Sequence, residues 1–132
     1  MGRRKKKILL IDESVAGLLV GKMILGGAAY DVITARTRPE GIARALSERP
    51  DLIVLCAGDP PPDGCQHAGV CEHLRASDGT RATPILVVTT QMRGPSATRA
   101  GCDYLTKPIS GLELLTKVRR GLRVGRDNGG EA

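Results

Sequence analysis

The sequence predicts a doubly wound α/β sandwich, in which helices cover both faces of a parallel sheet. Short apolar runs of strand length recur along its 132 residues, and stretches with the apolar spacing of helices separate them. Continuous runs rich in Ile, Val and Leu are typical of parallel strands that are buried on both faces. Alternation of strands and helices at this spacing favours a doubly wound fold. The predicted strands cover residues 8–11, 32–35, 52–55, 85–88 and 104–105.

Two helices are predicted in the first half of the chain. The first covers residues 14–26 and ends at a Gly-Gly pair, which is a common helix stop. Its predicted inward stripe consists of apolar residues at a spacing of three to four, namely Val15, Leu18, Leu19 and Met23. The second helix has Pro39 in its first turn, where proline is favoured. Its predicted inward residues are Ile42, Ala45 and Leu46.

The second half of the chain contains a third helix and a last helix. The third has an inner face of Val70, Cys71 and Leu74. Ser110 is a suitable N-cap for the last helix, whose predicted inward residues are Leu112, Leu115, Val118 and Leu122. The chain is therefore divided into a basic flank at residues 1–6, one domain at 7–123, and a polar, Gly-rich tail or linker start at 124–132.

Composition limits the classes of function. Phe and Trp are absent and Tyr occurs twice, so the core is predicted to be aliphatic. No apolar run approaches about 18 residues, and the basic start lacks the apolar segment of a secretion signal, so a cytoplasmic location is predicted. Much of the net charge of +6 lies near the two ends. There is no recognisable DNA-binding motif and no aromatic cluster for base stacking, so no nucleic-acid site is predicted in this domain.

The cysteines are predicted to be reduced thiols, because the chain looks cytoplasmic. Four potential zinc ligands are close in sequence: Cys65, His67, Cys71 and His73. If this stretch is helical, at about 100° per residue, His67 and Cys71 share a face while the other two point elsewhere. Four ligands then cannot converge on a tetrahedral ion, and a zinc site is not predicted.

Polar residues follow the predicted strands, at the sheet edge where open α/β sheets bind ligands. They comprise two carboxylates, a thiol, two hydroxyls and a lysine: Asp12, Glu13, Cys56, Thr89, Thr90 and Lys107. A purely structural interpretation also exists, since acidic residues often cap helices and Lys107 can pair with the carboxylates without any ligand. No set of nucleophile, base and orienting residue is apparent, so an enzyme is not predicted.

From residue 5 to about 123, the chain resembles the receiver domains of bacterial response regulators. The resemblance rests on the acidic pair after the first strand, the strand that ends at Cys56, the loop residues Pro60 and Asp63-Gly64, Thr89, and the segment Tyr-Leu-Thr-Lys-Pro at 104–108. It implies a flavodoxin-like sheet of five parallel strands in the order 2-1-3-4-5.

The resemblance also implies roles for individual residues. Asp12, Glu13 and the backbone carbonyl of Gly58 correspond to ligands of a magnesium ion. Thr89 and Lys107 correspond to members of the phosphorylation site, and Thr89 and Tyr104 to the switch residues that report its state.

The phosphorylation site departs from the family pattern at its centre. In receiver domains the third strand ends on the aspartate that accepts the phosphoryl group, and here that position is Cys56. A thiol cannot form an aspartyl phosphate, so the chain is predicted to be a pseudo-receiver. Replacing a carboxylate with a soft thiol also removes an oxygen ligand, so any magnesium binding is predicted to be weak.

Two alternatives to the pseudo-receiver stay open at this point. Asp59, three residues further on, could be the acceptor in a different alignment, although three extended residues reach about 10 Å and both alignments cannot share one geometry. Cys56 could act as a thiol-based sensor, although the neighbouring Asp12 and Glu13 would disfavour its thiolate.

The segment between the last two strands is a second departure. It is short and contains Gly94-Pro95, which disfavours a regular helix. The fourth helix is therefore expected to be shortened or lost. In the family this helix forms the output surface with the last strand and last helix, which places Tyr104, Arg119 and Arg120 on that surface. Its basic side favours an acidic protein partner. The sequence thus predicts a protein-binding module of two-component or phosphorelay signalling.

Overall fold

The computed structural model describes residues 5–56, 73–89, 103–106 and 110–130, with side chains for all of these except 89, 103, 104, 106 and 124–130. The strands are β1 Lys7–Ile11, β2 Asp31–Ala35, β3 Leu52–Cys56, β4 Ile85–Thr89 and β5 Asp103–Thr106. The helices are α1 Val15–Gly27, α2 Arg38–Glu48, the helical residues 73–75 labelled α3, and α4 Gly111–Gly130.

The five strands form one parallel sheet in the order β2-β1-β3-β4-β5. This is the predicted order, and it is confirmed. Each predicted strand is present and is extended by one or two residues. The predicted change in the fourth helix falls on residues 90–102, which lie outside the described residues.

Alternate residues of the central strands supply two separate aliphatic cores. In β1, Leu9 and Ile11 pack in the core that includes Ala45 of α2 and Leu74 of α3. Ile8 and Leu10 pack in the core that includes residues of α1 and α4. Strands β3 and β4 divide their residues in the same way. Burial on both faces explains why these strands read as unbroken apolar runs.

Hydroxyl side chains fix the starts of three helices, as expected for N-caps. Ser14 Oγ accepts from the backbone N–H of Gly17 at 3.1 Å, and Thr37 Oγ1 accepts from that of Glu40 at 3.2 Å. Ser110 Oγ accepts from the N–H of Glu113 at 3.4 Å, so the predicted cap of the last helix is present.

The predicted buried face of α1 was largely wrong. Leu18 is buried as predicted, but Val15, Leu19 and Met23 are exposed, and the inward positions are taken by Gly21 and Leu25. The reason is that α1 is apolar on almost every side, so spacing alone cannot fix its rotation. Gly21 fixes it, because a Cβ at this position would lie 2.7 Å from Leu10 Cδ2 of β1.

The predicted inward faces of the other two long helices are right except at one residue in each helix. In α4, Leu112 is exposed and Leu114 is buried in its place, together with Val118. In α2, Ala45 is buried while Leu46 is exposed. The other predicted inward residues of these helices are confirmed, because Ile42, Leu115 and Leu122 are partly buried and pack against the two cores.

Helix α4 extends to Gly130, past the residue 123 at which the domain was predicted to end. Glycine costs a helix only about 1 kcal/mol relative to alanine, so the glycines after Leu122 do not by themselves stop it. Residues 124–130 are therefore helical where a tail was expected.

Within the described part of the chain, no helix is long and apolar enough to cross a membrane.

The corrected face of α4 can be tested with two leucines that are two residues apart. Leu114→Ala is expected to lower the free energy of unfolding by about 2–5 kcal/mol, because it leaves a cavity in the core. Leu112→Ala is the matched control and should change it by no more than about 0.5 kcal/mol. Urea denaturation measures both. Equal losses, or a larger loss at Leu112, would contradict the rotation of the helix.

Candidate functional site

The sheet register brings the predicted site residues together at one edge. Ile11 of β1 pairs with Leu55 of β3, so Asp12 and Cys56 follow in the next row. Cys56 in turn pairs with Val88 of β4. Thr89 pairs with Thr106 of β5, one row further towards the carboxyl ends of the strands. The register thus places Asp12, Cys56 and Thr89 at the edge where parallel sheets bind their ligands.

Asp12 is buried and makes hydrogen bonds to both neighbouring segments. Its backbone N–H donates to the carbonyl of Ala35 at 3.0 Å, which continues the β1–β2 ladder by one residue. Its Oδ1 accepts from the backbone N–H of Ser14 at 2.9 Å. The carboxylate thus lies at the positive end of α1, where a negative charge is favourable. Glu13, the second residue of the acidic pair, is exposed.

Gly17 makes this position of the Asp12 carboxylate possible. A Cβ at Gly17 would lie 2.9 Å from Asp12 Cγ and would overlap Asp12 Oδ2. Any side chain at residue 17 would therefore push Asp12 away from α1. Sequence analysis missed this residue. The available signal was a glycine in the first turn of a helix, where alanine would be more stable by about 1 kcal/mol.

Cys56 ends β3 as a half-buried thiol that is not in a disulfide. Its side chain packs at the border of the core that α1 and α4 cover. It ends the strand that pairs with β1, so its thiol and the Asp12 carboxylate occupy neighbouring strand ends.

The other predicted site residues are only partly described. The backbones of Thr89 and Tyr104 are defined, while Gly58, Asp59 and Lys107 lie outside the described residues. Arg119 and Arg120 are exposed on α4. In the described ranges, no group of three or more His, Cys, Asp or Glu residues could hold a metal ion.

A cleft of about 260 Å³ lies at the opposite edge of the sheet, beside the amino ends of β1, β3 and β4. Its lining includes Lys6, Asp51, Thr83 and Leu122. It is not adjacent to the row of Asp12 and Cys56. Because open α/β sheets bind ligands at the carboxyl ends of their strands, we do not assign the function to this cleft.

Comparison with known proteins relates the chain to response regulators. It is 35% identical over 122 residues to the alkaline phosphatase synthesis transcriptional regulatory protein PhoP of Bacillus subtilis, covering 89% of the chain and 49% of PhoP. It is 36% identical over 121 residues to the DNA-binding dual master transcriptional regulator RpaA of Synechocystis, with the same two shares. It is 32% identical over 119 residues to the response regulator PleD of Caulobacter vibrioides, covering 86% of the chain and 25% of PleD. The chain therefore spans half or less of the length of these relatives. No family model matches the chain.

Solved structures agree with this relationship. The CheY-like response regulator receiver domain protein of Methanospirillum hungatei superposes with a TM-score of 0.81 at 26% identity, covering 95% of this chain and 99% of that one. The receiver domain of the sensor histidine kinase PA1611 of Pseudomonas aeruginosa, which has a magnesium ion in its active site cleft, has the same fold. Its TM-score is 0.77 at 23% identity, and the superposition covers 90% of this chain and 98% of that one.

The contact between Gly17 and Asp12 predicts an effect that changes sign with the background. Gly17→Ala should destabilise the wild-type chain, because the new Cβ displaces the Asp12 carboxylate from the N–H of Ser14. In an Asp12→Ala background the same change should stabilise, by up to about 1 kcal/mol, because alanine is the better helix residue. Urea denaturation of the four chains gives a coupling free energy, expected to be about 1–2 kcal/mol.

Gly26 provides the matched control for this prediction. It lies on the same helix and nothing comes within 4 Å of a Cβ built there. Gly26→Ala should therefore have the same effect with and without Asp12. A similar effect of Gly17→Ala in both backgrounds would show that the two residues are not coupled.

Proposed function

Since the chain carries a receiver domain of the response-regulator type, we propose that it is a signalling module that binds protein partners and is not phosphorylated. One observation carries the proposal: β3 ends on Cys56, in the same row as Asp12. In receiver domains, according to the resemblance described above, an aspartate at this position accepts the phosphoryl group.

An aspartate and a cysteine at this position differ in the step that transfers the phosphoryl group. In a receiver, a carboxylate oxygen attacks phosphorus, the donor's leaving group departs, and an acyl phosphate forms. Cys56 offers no carboxylate oxygen for this attack. The strand ends instead on a half-buried thiol.

The donor set also fits magnesium poorly. This ion prefers six oxygen ligands in nearly regular octahedral geometry. Asp12 supplies carboxylate oxygens of the kind that this ion prefers, but the thiol of Cys56 is a soft donor that suits other metals. Asp12, Glu13 and the carbonyl of Gly58 are the groups that would hold magnesium, whose chemistry would be to neutralise phosphoryl oxygens. We therefore propose that binding is weak.

A basic surface on α4 supports an acidic protein as the partner. Arg119, Arg120 and Arg123 are all exposed on this helix. Such a surface attracts an acidic partner at long range and gives an association rate that falls with salt. Tyr104 on the last strand would belong to the same surface.

The absence of phosphorylation can be tested directly. Incubation with acetyl phosphate and magnesium should leave the intact mass unchanged, because no carboxylate is present at the end of β3. A gain of about 80 Da would contradict the proposal, and its location on Asp59 would identify the chain as a working receiver. A gain of about 16 Da per added oxygen on Cys56 under mild peroxide, with a change in partner binding, would instead favour a thiol sensor.

Cys56→Asp is the complementary variant for the same measurement. It restores a hard oxygen ligand next to Asp12, so it should raise magnesium affinity relative to the wild type. Cys56→Ser is the matched control, since it removes the thiol without adding a carboxylate. Equal magnesium affinity in all three chains would show that Cys56 does not limit the metal site.

Binding to the basic surface can be measured with a fluorescent polyglutamate peptide as the acidic probe. Reversing Arg119 and Arg120 to glutamate should weaken binding several-fold and flatten its salt dependence, measured by fluorescence anisotropy. Arg36→Glu with Arg44→Glu is the charge-matched control, because both residues are exposed near or on α2. Asp12→Ala should leave binding nearly unchanged. Binding that depends on Asp12 and not on the arginines would mean that the pocket governs the output.

A further inference from the structure

Helix α1 presents a continuous apolar face to solvent. The exposed fractions are 50% for Val15, 59% for Leu19, 54% for Val20 and 75% for Met23. At about 100° per residue, these four side chains span roughly 140° of the helix surface. Scattered exposed apolar residues are ordinary, but a contiguous group of large ones marks an interaction site.

Charge distinguishes α1 from the rest of the described helical surface. Among its 13 residues only Lys22 is charged. Helix α2 carries Arg38, Glu40, Arg44 and Glu48, and the exposed side of α4 carries Glu113, Arg119, Arg120 and Arg123. A partner that covers α1 must therefore be apolar at its centre, since α1 offers a charged partner almost nothing to pair with.

Small residues at the same surface allow close approach of another helix. Ala16, Gly26 and Gly27 are exposed on α1. Nothing lies within 4 Å of a Cβ built at Gly26 or Gly27. Helices pack at interaxial distances of about 8–10 Å, with the shorter values where the contacting side chains are small.

We propose that this face is the contact of a symmetric homodimer, in which α1 of one copy packs antiparallel on α1 of a second copy. The proposal goes beyond the function proposed above and does not depend on whether the chain is phosphorylated. Twofold dimers with self-complementary interfaces are the commonest oligomers. A chain with a net charge of +6 repels its own copy, and α1 is a nearly neutral surface on which two copies can meet.

Val15, Leu19 and Met23 are exposed at a spacing of four residues, so two copies of α1 can pair these apolar side chains. With the twofold axis at Leu19, Val15 of each copy faces Met23 of the other. Glu13, which is exposed just before the helix, then lies opposite the partner's Leu25. The partner's Lys22 is three residues away, about 4.5 Å along the axis, which the two long side chains span. Lys22, which is the charged residue of α1, is thus within reach of Glu13 in the second copy.

The short length of α1 limits the area that two copies can bury, which indicates a reversible dimer. Gly111 packs on Ile24, with a Cβ position 3.8 Å from Ile24 Cδ1, so Leu112 borders the same face and is 73% exposed. A helix of 13 residues is only about 20 Å long. Standard interfaces bury about 800 Å² per partner, and smaller ones belong to transient complexes. We expect a dissociation constant of about 1–100 μM.

Sedimentation velocity over a concentration range that brackets these values tests the proposal. The average mass of the wild type should rise from 14.0 kDa towards twice this value as concentration increases. Leu19→Glu places two carboxylates at the axis and should weaken dimerisation at least about tenfold. Leu46→Glu, which alters an exposed leucine on α2, is the matched control and should dimerise like the wild type. Met23→Lys is a second disrupting variant, and circular dichroism melts check that each variant is folded.

A charge swap tests the antiparallel arrangement itself. Glu13→Lys and Lys22→Glu should each weaken the dimer, and the double variant should recover most of the loss. A wild type that stays monomeric at every concentration, or a Leu19→Glu variant that dimerises normally, would overturn the proposal. Single charge variants without effect, or a double variant without recovery, would overturn the antiparallel pairing. Neither result depends on the phosphorylation measurement, so the two proposals fail separately.

Discussion

The parallel register between β1 and β3 is the constraint on which the rest of the molecule depends. These central strands alternate their residues between two aliphatic cores, so a slip of one residue would exchange the contents of both cores. Such a slip would not improve the burial of apolar side chains, because each core is already filled by alternate residues of the neighbouring strands. The same register fixes Asp12 beside Cys56. The geometry of the site is therefore set by hydrophobic packing several residues away.

The residues around Asp12 also stabilise the start of α1. The Asp12 carboxylate accepts a hydrogen bond at the start of α1, and Gly17 leaves the room it needs. Both features stabilise the first turn of the helix, whether or not a ligand is present. Asp12 thus has a role in folding that does not depend on phosphorylation. The presence of Asp12 in the sequence is for this reason weak evidence of metal chemistry.

The sequence predicted the strands well and the buried face of α1 poorly, for one physical reason. Runs such as Leu52 to Leu55 have few interpretations, since both faces of an inner strand are buried. Helix α1 is apolar almost all round, so its pattern fits several rotations, and only the packing of Gly21 on Leu10 selects one. The contact between Gly17 and Asp12 is also tertiary and has no periodic signal. The row of Asp12 and Cys56 could be anticipated, because the carboxyl ends of neighbouring parallel strands meet at one edge.

Helix α4 is longer than the sheet it covers, and this difference has a mechanical consequence. Gly121 sits where a Cβ would come 2.6 Å from Leu52 Cδ1, so the helix is pressed against the start of β3 at that residue. The nine residues from there to Gly130 extend about 13 Å further. A tilt of about 10° around Gly121 would displace the far end by roughly 2 Å. Because β3 begins beside Gly121 and ends at Cys56, a single strand connects the contact with α4 to the edge of the sheet that carries Asp12 and Cys56.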